Sequence, residues 1–292
     1  MRILLTGATG QLGCELGPML AAHDVFAPPR SIFDLTNPRS IRDMVRDTRP
    51  DMIINPAAYT AVDRAEQEPD LARAINAIAP AVLAEEARRL GIPLIHFSTD
   101  YVFSGEASVP YTEDHPTAPI NVYGHTKLEG EQAIQAAGCI HLILRSSWVY
   151  SHHGRNFLLT IERLARERTT LRIVADQRGT PNWARDLARA TVAIAGIGRD
   201  ELSAQAGIYH LSGRGETTWH GFAKAIAASM RLARAVEVDP IATVDYPTPA
   251  RRPAYSVLDA TKLRRAFGIV LPRWEDSLAE CQQGFAGQRP SA

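Results

Sequence analysis

Cysteine is scarce: Cys14, Cys139 and Cys281 are the only ones in 292 residues, widely spaced and with no CxxC pair. That usage fits a reduced compartment rather than a disulfide framework, so a cytoplasmic protein is expected. Net charge is absent too. Lys plus Arg equal Asp plus Glu at 32 each, which leaves no global field to draw the chain onto a nucleic acid polymer or an anionic membrane. Any anion site must therefore be local. Long apolar runs are lacking as well: after Met1-Arg2 only Ile3-Leu4-Leu5 precede Thr6-Gly7, too short for a signal-peptide core, and no later stretch could span a bilayer. A hydrophobic share of 45% is enough for one large core or two modest ones; it argues against disorder and favours two domains.

The first half alternates short apolar runs with helical patterns. Ile3 to Leu5, Val25 to Ala27, Met52 to Ile54, Leu94 to Phe97 and Ile140 to Leu144 read as strands with helices between them. Thr36-Asn37-Pro38 supplies a helix cap with proline at the first helical position, and Leu90-Gly91-Ile92-Pro93 closes a helix. Pro69 and Pro80 punctuate the stretch from Ala61 to Leu90, which predicts two helical pieces or one kinked one. The expected fold is α/β, a Rossmann-like doubly wound parallel sheet with ligands beyond the carboxyl ends of its strands. After Trp148-Val149-Tyr150 the pattern loosens, and a smaller C-terminal substrate-binding domain is placed there. Residues Gly287 to Ala292 are expected to be loose.

Thr6-Gly7-Ala8-Thr9-Gly10-Gln11-Leu12-Gly13 follows the first strand and opens a helix, the context a dinucleotide fingerprint requires. Glycine removes the Cβ that would block a pyrophosphate, and the helix N-terminus offers unpaired N–H groups to it. The rival reading is a tight turn without a ligand. Past the second strand the chain reads Pro28-Pro29-Arg30-Ser31, where a basic residue suits a 2′-phosphate and a carboxylate would suit a 2′-hydroxyl. Arg30 thus points to NADPH over NADH, against the alternative of a solvent-facing loop arginine. Asp34-Leu35 is placed beside the adenine.

Tyr123 and Lys127 stand four apart, so on a helix they share a face and the ammonium could favour the ionised phenol. An unperturbed phenol titrates near about 10 and exchanges protons sluggishly at neutral pH. Ser98-Thr99-Asp100 follows the Leu94 to Phe97 strand, which brings a hydroxyl to the sheet's carboxyl edge. Thr99, Tyr123 and Lys127 together can bind a carbonyl oxygen and protonate it while a hydride reaches its carbon. The YxxxK spacing alone is far more often an ordinary amphipathic helix. Its pairing with the glycine turn reverses that balance.

These residues resemble the extended short-chain dehydrogenase/reductase family: TGxxGxxG, a hydroxyl after a central strand, and YxxxK. Asn55 to Glu66, Ser98 to Phe103, Asn121 to Lys127, Arg145 to Tyr150 and Tyr246 to Pro253 narrow the resemblance to the dTDP-4-dehydrorhamnose reductases within it, over most of the chain. The resemblance implies NADPH-dependent reduction of the 4-keto group of a dTDP-6-deoxy-L-lyxo-4-hexulose, with NADH as the alternative reductant and a dTDP-sugar as substrate. It implies Tyr123 as proton donor, Lys127 on the cofactor ribose and Thr99 on the reacting oxygen. Gly7, Gly10, Gln11, Leu12, Gly13, Asp34, Leu35, Ala58, Tyr59 and Thr60 match cofactor contacts. Asp100 and Trp148 match sugar contacts, although Trp148 reads equally well as core, and Arg251 and Arg252 suit a diphosphate or a solvated turn. Residues 1–165 are expected to bind NADP, with a later strand near 207–212 rejoining the sheet, and 166–292 to be mainly substrate-binding. Within the same fold, an epimerase or a dehydratase is the enzymatic rival; the latter would want a second carboxylate after Thr99, where Asp100-Tyr101 stands. A non-catalytic NADP-binding regulatory subunit is the other.

Some such reductases join two subunits through magnesium held by glutamates. Glu15 matches one of those positions, but Arg185 stands where a second acid is expected, and the C-terminal partner near Gly284 is also missing. An arginine is no ligand for a cation, so no metal is assigned and a monomer or weak homodimer is expected. Glu15 is read instead as a carboxylate near a helix N-terminus.

Overall fold

The structure, a computed structural model, describes residues 1–230 and 234–286, so the expectation for Gly287 to Ala292 lies outside the described residues. The apolar runs become β1 (Arg2–Leu5), β2 (Asp24–Phe26), β3 (Met52–Asn55), β4 (Leu94–Thr99) and β5 (His141–Ser146). With Gly207–His210 they form one parallel sheet in the order β2-β1-β3-β4-β5-207–210. The chain moves outward from β1 to β2, then crosses back to β3 on the other side of β1. A crevice opens at that reversal, beyond the carboxyl ends of the strands.

Side-chain alternation sorts the strands into two apolar layers. Ile3, Leu5 and Ile54 pack with Leu16 of helix α1 (Gln11–Met19), while Leu4 and Ile53 pack with Ile41 and Val45 of α2 (Pro38–Thr48). Asn37 caps α2 as its sequence suggests, accepting from Arg39 N at 3.0 Å. Strands β4 and β5 run past their apolar stretches, because Ser98 and Thr99 still pair with Arg145 and Ser146. The Thr99 hydroxyl is thereby part of the sheet rather than of the loop after it.

The stretch from Ala61 to Leu90 resolves into a short separate turn, Val62–Ala65, and an uninterrupted helical run from Pro69 through a π-turn at Ala74–Ile78 to Leu90. Pro80 lacks the N–H that would bond the Asn76 carbonyl, and the π-turn absorbs the defect in place of a break. That carbonyl leans on Gly130 of the Val122–Ala137 helix, where a Cβ would lie 2.1 Å from it.

A second body follows, with its own apolar cluster of Leu158, Ile161, Trp183, Phe222, Ile226, Trp274 and Leu278. Helices Phe157–Glu167, Trp219–Ser229 and Trp274–Ala286 surround a parallel pair, Thr170–Val174 with Glu237–Ile241. Among the described residues no helix is long and apolar enough to cross a membrane.

One ion pair sits inside the sheet domain. Arg145 grips Glu131 in a fork, Nε–Oε1 2.9 Å and Nη2–Oε2 2.6 Å, and both are essentially sealed from solvent at 2% and 1% exposure. Removing one member of such a pair strands the other's charge, so Arg145→Met should cost about 3–5 kcal/mol of unfolding free energy. We expect a lowered denaturant midpoint at unchanged slope, with much of the loss regained in Arg145→Met/Glu131→Leu.

Candidate active site

The glycine turn leaves β1 with Gly7 at φ +55°, a left-handed conformation that favours glycine. Gly10 N donates to Gly7 O at 2.9 Å and closes the turn. At Gly13 a Cβ would come 2.1 Å from Gly7 O, so the helix can start this close to the strand only without a side chain there. Beside the turn lies a cavity of about 230 Å³ lined by Gly7, Ala8, Thr9, Arg30, Asp34, Leu35 and Ala58. A narrow glycine cradle at a helix N-terminus, open to this cavity, fits a dinucleotide's phosphates and adenosine.

Other residues assigned to the cofactor behave differently. Leu12 is buried in the core, which leaves only its backbone for a ligand. Gln11 reaches across to the later segment, with Nε2 donating to Val149 O at 3.4 Å and Oε1 accepting from Ser151 Oγ at 3.2 Å. Thr60 is exposed, and the Tyr59 hydroxyl is tied to Glu68. The Tyr59 backbone is fixed by a residue left out of the expected site: buried Asn76 accepts from Tyr59 N at 2.8 Å, donates to Tyr59 O at 3.1 Å and reaches Thr126 Oγ1 at 3.1 Å. Asn76 thus joins the two helices directly.

Tyr123 enters at the first turn of the Val122–Ala137 helix, whose start is fixed twice. Asn121 Oδ1 accepts from Gly124 N at 2.8 Å, and Glu66 Oε1 accepts from Val122 N at 2.9 Å. Gly124 lets this turn touch the β4 exit, since a Cβ would sit 2.2 Å from Tyr101 O. The contact brings the Tyr123 phenol to the Thr99 hydroxyl and sets its ring edge-on to Tyr101, with centroids 5.8 Å apart. Thr99 Oγ1 also accepts from Tyr101 N at 3.1 Å and lies 2.9 Å from Asp100 Oδ1.

Lys127 corrects the expected pairing. Its Nζ donates to Phe97 O at 2.6 Å and meets His96 Nε2 at 3.2 Å, so β4 supplies the partners of the ammonium. Behind it runs a buried chain, His96 Nδ1 to Asn55 Nδ2 at 2.9 Å and Asn55 Oδ1 to Thr6 Oγ1 at 2.5 Å, ending at the first residue of the glycine turn. Burial pulls Lys127 down to about 8, partly offset by Glu131. Burial, then the Lys127 charge, holds His96 well below its usual range. Tyr123 is pushed the other way from expectation, up to about 12, by burial against the opposing Thr99 bond and with help from Asp100. The fourfold spacing does place both residues on one helix face, but the ammonium finds closer acceptors in β4.

Trp148 has φ +45°, unusual for a bulky residue, and stacks on Trp219 at 3.5 Å and 7°. Gly179 leaves room for its indole, since a Cβ there would lie 2.5 Å from Cε2. Next to this pair opens a cavity of about 470 Å³ bounded by Asp63, Tyr101, Arg168, Arg172, Gln177, Trp219, Tyr246 and Arg252. Arg252 lines it, braced by Asp63 Oδ2 at 2.9 Å. Arg251 does not: its side chain is exposed and only its carbonyl engages, accepting from Asn121 Nδ2 at 2.8 Å. Arg168, Arg172 and Trp219 carry no motif, so only the fold reveals them.

Glu15 corrects a second expectation. Arg185 Nε donates to its Oε2 at 2.8 Å, so the carboxylate is paired across to the Ala184–Ala195 helix and does not serve the N-terminus of α1. Among the described residues no group of three or more His, Cys, Asp or Glu side chains is arranged to hold a metal. The position near Gly284 lies outside those whose side chains are described.

The family model described as the RmlD substrate binding domain matches residues 1–286. The chain belongs to that family. A dTDP-4-dehydrorhamnose reductase of Burkholderia thailandensis is 44% identical over 99% of this chain and 100% of its own length. Among solved structures, the dTDP-4-dehydrorhamnose reductase of Clostridium acetobutylicum superposes with a TM-score of 0.91 at 37% identity, covering 98% of this chain and 100% of that one. The Bacillus anthracis reductase, solved in complex with NADP, gives 0.89 at 37% identity over 97% and 99%. The match extends across both bodies of the fold.

Gly13→Ala tests the cradle directly. The added methyl meets backbone that cannot yield, so NADPH affinity should fall by about tenfold or more, on the order of 1.4 kcal/mol, measured by fluorescence titration of the folded variant.

Proposed function

We propose that this chain is an NADPH-dependent oxidoreductase that reduces the 4-keto group of dTDP-4-dehydro-L-rhamnose to dTDP-L-rhamnose in the cytoplasm. The observation that carries the reading is the Tyr123–Thr99 contact at the carboxyl end of β4, across the crevice from the glycine cradle, in a chain matched to such reductases along its whole length. Bound NADPH would supply a hydride to the carbonyl carbon. Everything else falls to side chains of this chain.

Tyr123 would donate its phenolic proton to the ketone oxygen, with the Thr99 hydroxyl orienting that oxygen. A phenol held up to about 12 is protonated throughout the physiological range, which suits a donor better than a base. Lys127 would hold the cofactor ribose after leaving Phe97 O or while keeping it, since an amine has donors for both. Gly7, Gly10 and Gly13 would hold the pyrophosphate, with Asp34, Leu35 and Ala58 beside the adenosine and Arg30 at the ribose. Arg252, with Arg168 and Arg172, supports binding of the nucleotide diphosphate in the larger cavity, which we assign to the substrate. We place the substrate-binding domain mainly within 166–292, with the Phe157–Glu167 helix added to it and the strand at 207–210 and the Ala184–Ala195 helix left to the sheet domain. The Glu15–Arg185 pair, closed within one chain, supports activity without a metal-bridged dimer.

A dehydratase would need a further acid and base beyond Thr99, and Asp100 is followed by Tyr101. A regulatory subunit would have no need of Thr99, Tyr123 and Lys127 together. Purified chain supplied with the dTDP-keto-sugar should consume NADPH stoichiometrically and release the reduced sugar, whereas an epimerase or dehydratase returns its hydride and shows no net consumption. In that assay Tyr123→Phe should lower kcat by about 100-fold or more while NADPH affinity stays nearly constant; unchanged turnover would exclude the phenol as donor. Arg30→Ala should raise the KM for NADPH by about tenfold and leave that for NADH alone.

A further inference from the structure

Asp100 is 2% exposed, and among the described residues no cation faces its carboxyl and its Oδ2 has no hydrogen-bond partner. Buried carboxylates are normally paired, so this one is either misplaced or needed as an acid. Its surroundings are hydroxyls and amides. Thr99 Oγ1 lies 2.9 Å from Oδ1 on its own segment, the Ser256 hydroxyl faces it from the Tyr255–Leu258 stretch, and the Tyr123 phenol faces it from the Val122–Ala137 helix. On the far side, Arg252 and Asp63 face Tyr101 rather than Asp100.

The hydrogen-bond inventory of Thr99 decides what Asp100 must be. A hydroxyl has one donor and two acceptor positions. Thr99 Oγ1 already accepts from Tyr101 N at 3.1 Å. If Asp100 is ionised it can only accept, so the single Thr99 proton is committed to it and none remains for Tyr123 or a substrate oxygen. If Asp100 is protonated on Oδ1, the oxygen that faces Thr99, it donates to Thr99, both acceptor positions are filled, and the Thr99 proton turns to the Tyr123 side.

We propose that Asp100 is a positioning residue that works in its protonated form, directing the Thr99 hydroxyl toward the reacting oxygens and holding the proton that replenishes Tyr123. The proposal rests on the reductase reading above. As the ketone is reduced, the Tyr123 O–H bond breaks and the product O–H forms. The phenolate takes the Thr99 proton, and Thr99 takes the Asp100 proton, so two O–H bonds break and two form along the relay. Asp100 ends as a carboxylate and regains its proton from solvent after the product leaves. Burial lifts the Asp100 carboxyl to about 7, against the Thr99 and Ser256 bonds that favour ionisation, so the acid form is available at neutral pH. Because the folded value lies above the ordinary one of 3.8, the protonated state is complete below it and is lost as pH rises through about 7.

The experiment has two arms. Infrared difference titration of the purified chain, which needs no turnover, should show a buried protonated carboxyl band with a midpoint near 7 that is missing in Asp100→Asn. In the dTDP-keto-sugar assay, kcat of the unaltered chain should fall above the same midpoint. Asp100→Asn should lose that limb and run about tenfold or more below the unaltered chain at pH 6, with NADPH affinity unchanged. Ser256→Ala removes a bond that favours the carboxylate, so band and limb should both move to higher pH; this variant keeps the test open if Asp100→Asn folds poorly. A missing band, a limb that survives Asp100→Asn, or a change confined to KM would overturn the proposal. No reduction by the unaltered chain with the band present would instead overturn the reductase reading.

Discussion

The site depends on how closely one helix can lie against the sheet. The Val122–Ala137 helix meets the β4 exit at Gly124 and the π-turn of its neighbour at Gly130, and at each a methyl group would fall within about 2 Å of a carbonyl oxygen. Between those two contacts the helix projects Lys127 under the end of β4, and just before the first it projects Tyr123 over Thr99. A wider separation would lift the phenol off Thr99 and admit water around the amine. Pro80 contributes from the other side, because the N–H it lacks leaves the Asn76 carbonyl free to face Gly130.

The same closeness makes Lys127 an unusual cation. It is sealed at 1% exposure, with a backbone carbonyl and an imidazole as partners in place of a carboxylate. An ammonium there loses hydration that these partners only partly replace. The direction of the chain behind it follows from the charge. With Asn55 Nδ2 set against it, His96 Nδ1 accepts and the ring proton lies on Nε2, which matches Lys127 as the neutral amine accepting there; a protonated Lys127 could only donate to Nε2 and would need the Asn55 amide turned over. The lysine and the first residue of the glycine turn are therefore ends of one buried hydrogen-bond chain.

Much of this was legible in the residues. The alternation of strands and helices, the glycine turn and the hydroxyl at the end of β4 are local patterns, and local patterns survive folding. The strand at 207–210 was readable as well, since an apolar β-run needs a partner. Side-chain direction was not readable. The Tyr123–Lys127 spacing fixes a shared face but says nothing of Phe97 O and His96, which lie one sheet layer away and compete for the ammonium. Glu15 and Arg185 are 170 residues apart, so no window of sequence could pair them. Arg251 and Arg252 look equivalent between prolines, and only the position of Asp63 separates the cavity-lining residue from the exposed one. Trp219 and Asn76 sit in no motif at all.

Taken together, the charges are arranged with a clear division. At the centre, burial disfavours every ionised form: the Tyr123 and Asp100 acids are pushed up, and Lys127 and His96 are pushed down. At the rim stand the permanent cations, Arg30 beside the glycine cradle and Arg252 in the larger cavity. Both ligands proposed for this site carry their charge on phosphates, remote from the carbon that reacts. Phosphates can thus be met at the periphery, by exposed Arg30 and by Arg252 paired with Asp63, while the ketone is delivered into a region with few ionised groups. Such a centre strengthens the hydrogen bonds that Thr99 and Tyr123 can make to an oxygen as it gains negative charge. With Lys127 engaged by Phe97 O and His96, the phenol keeps its proton at rest, the form from which it can protonate a ketone oxygen.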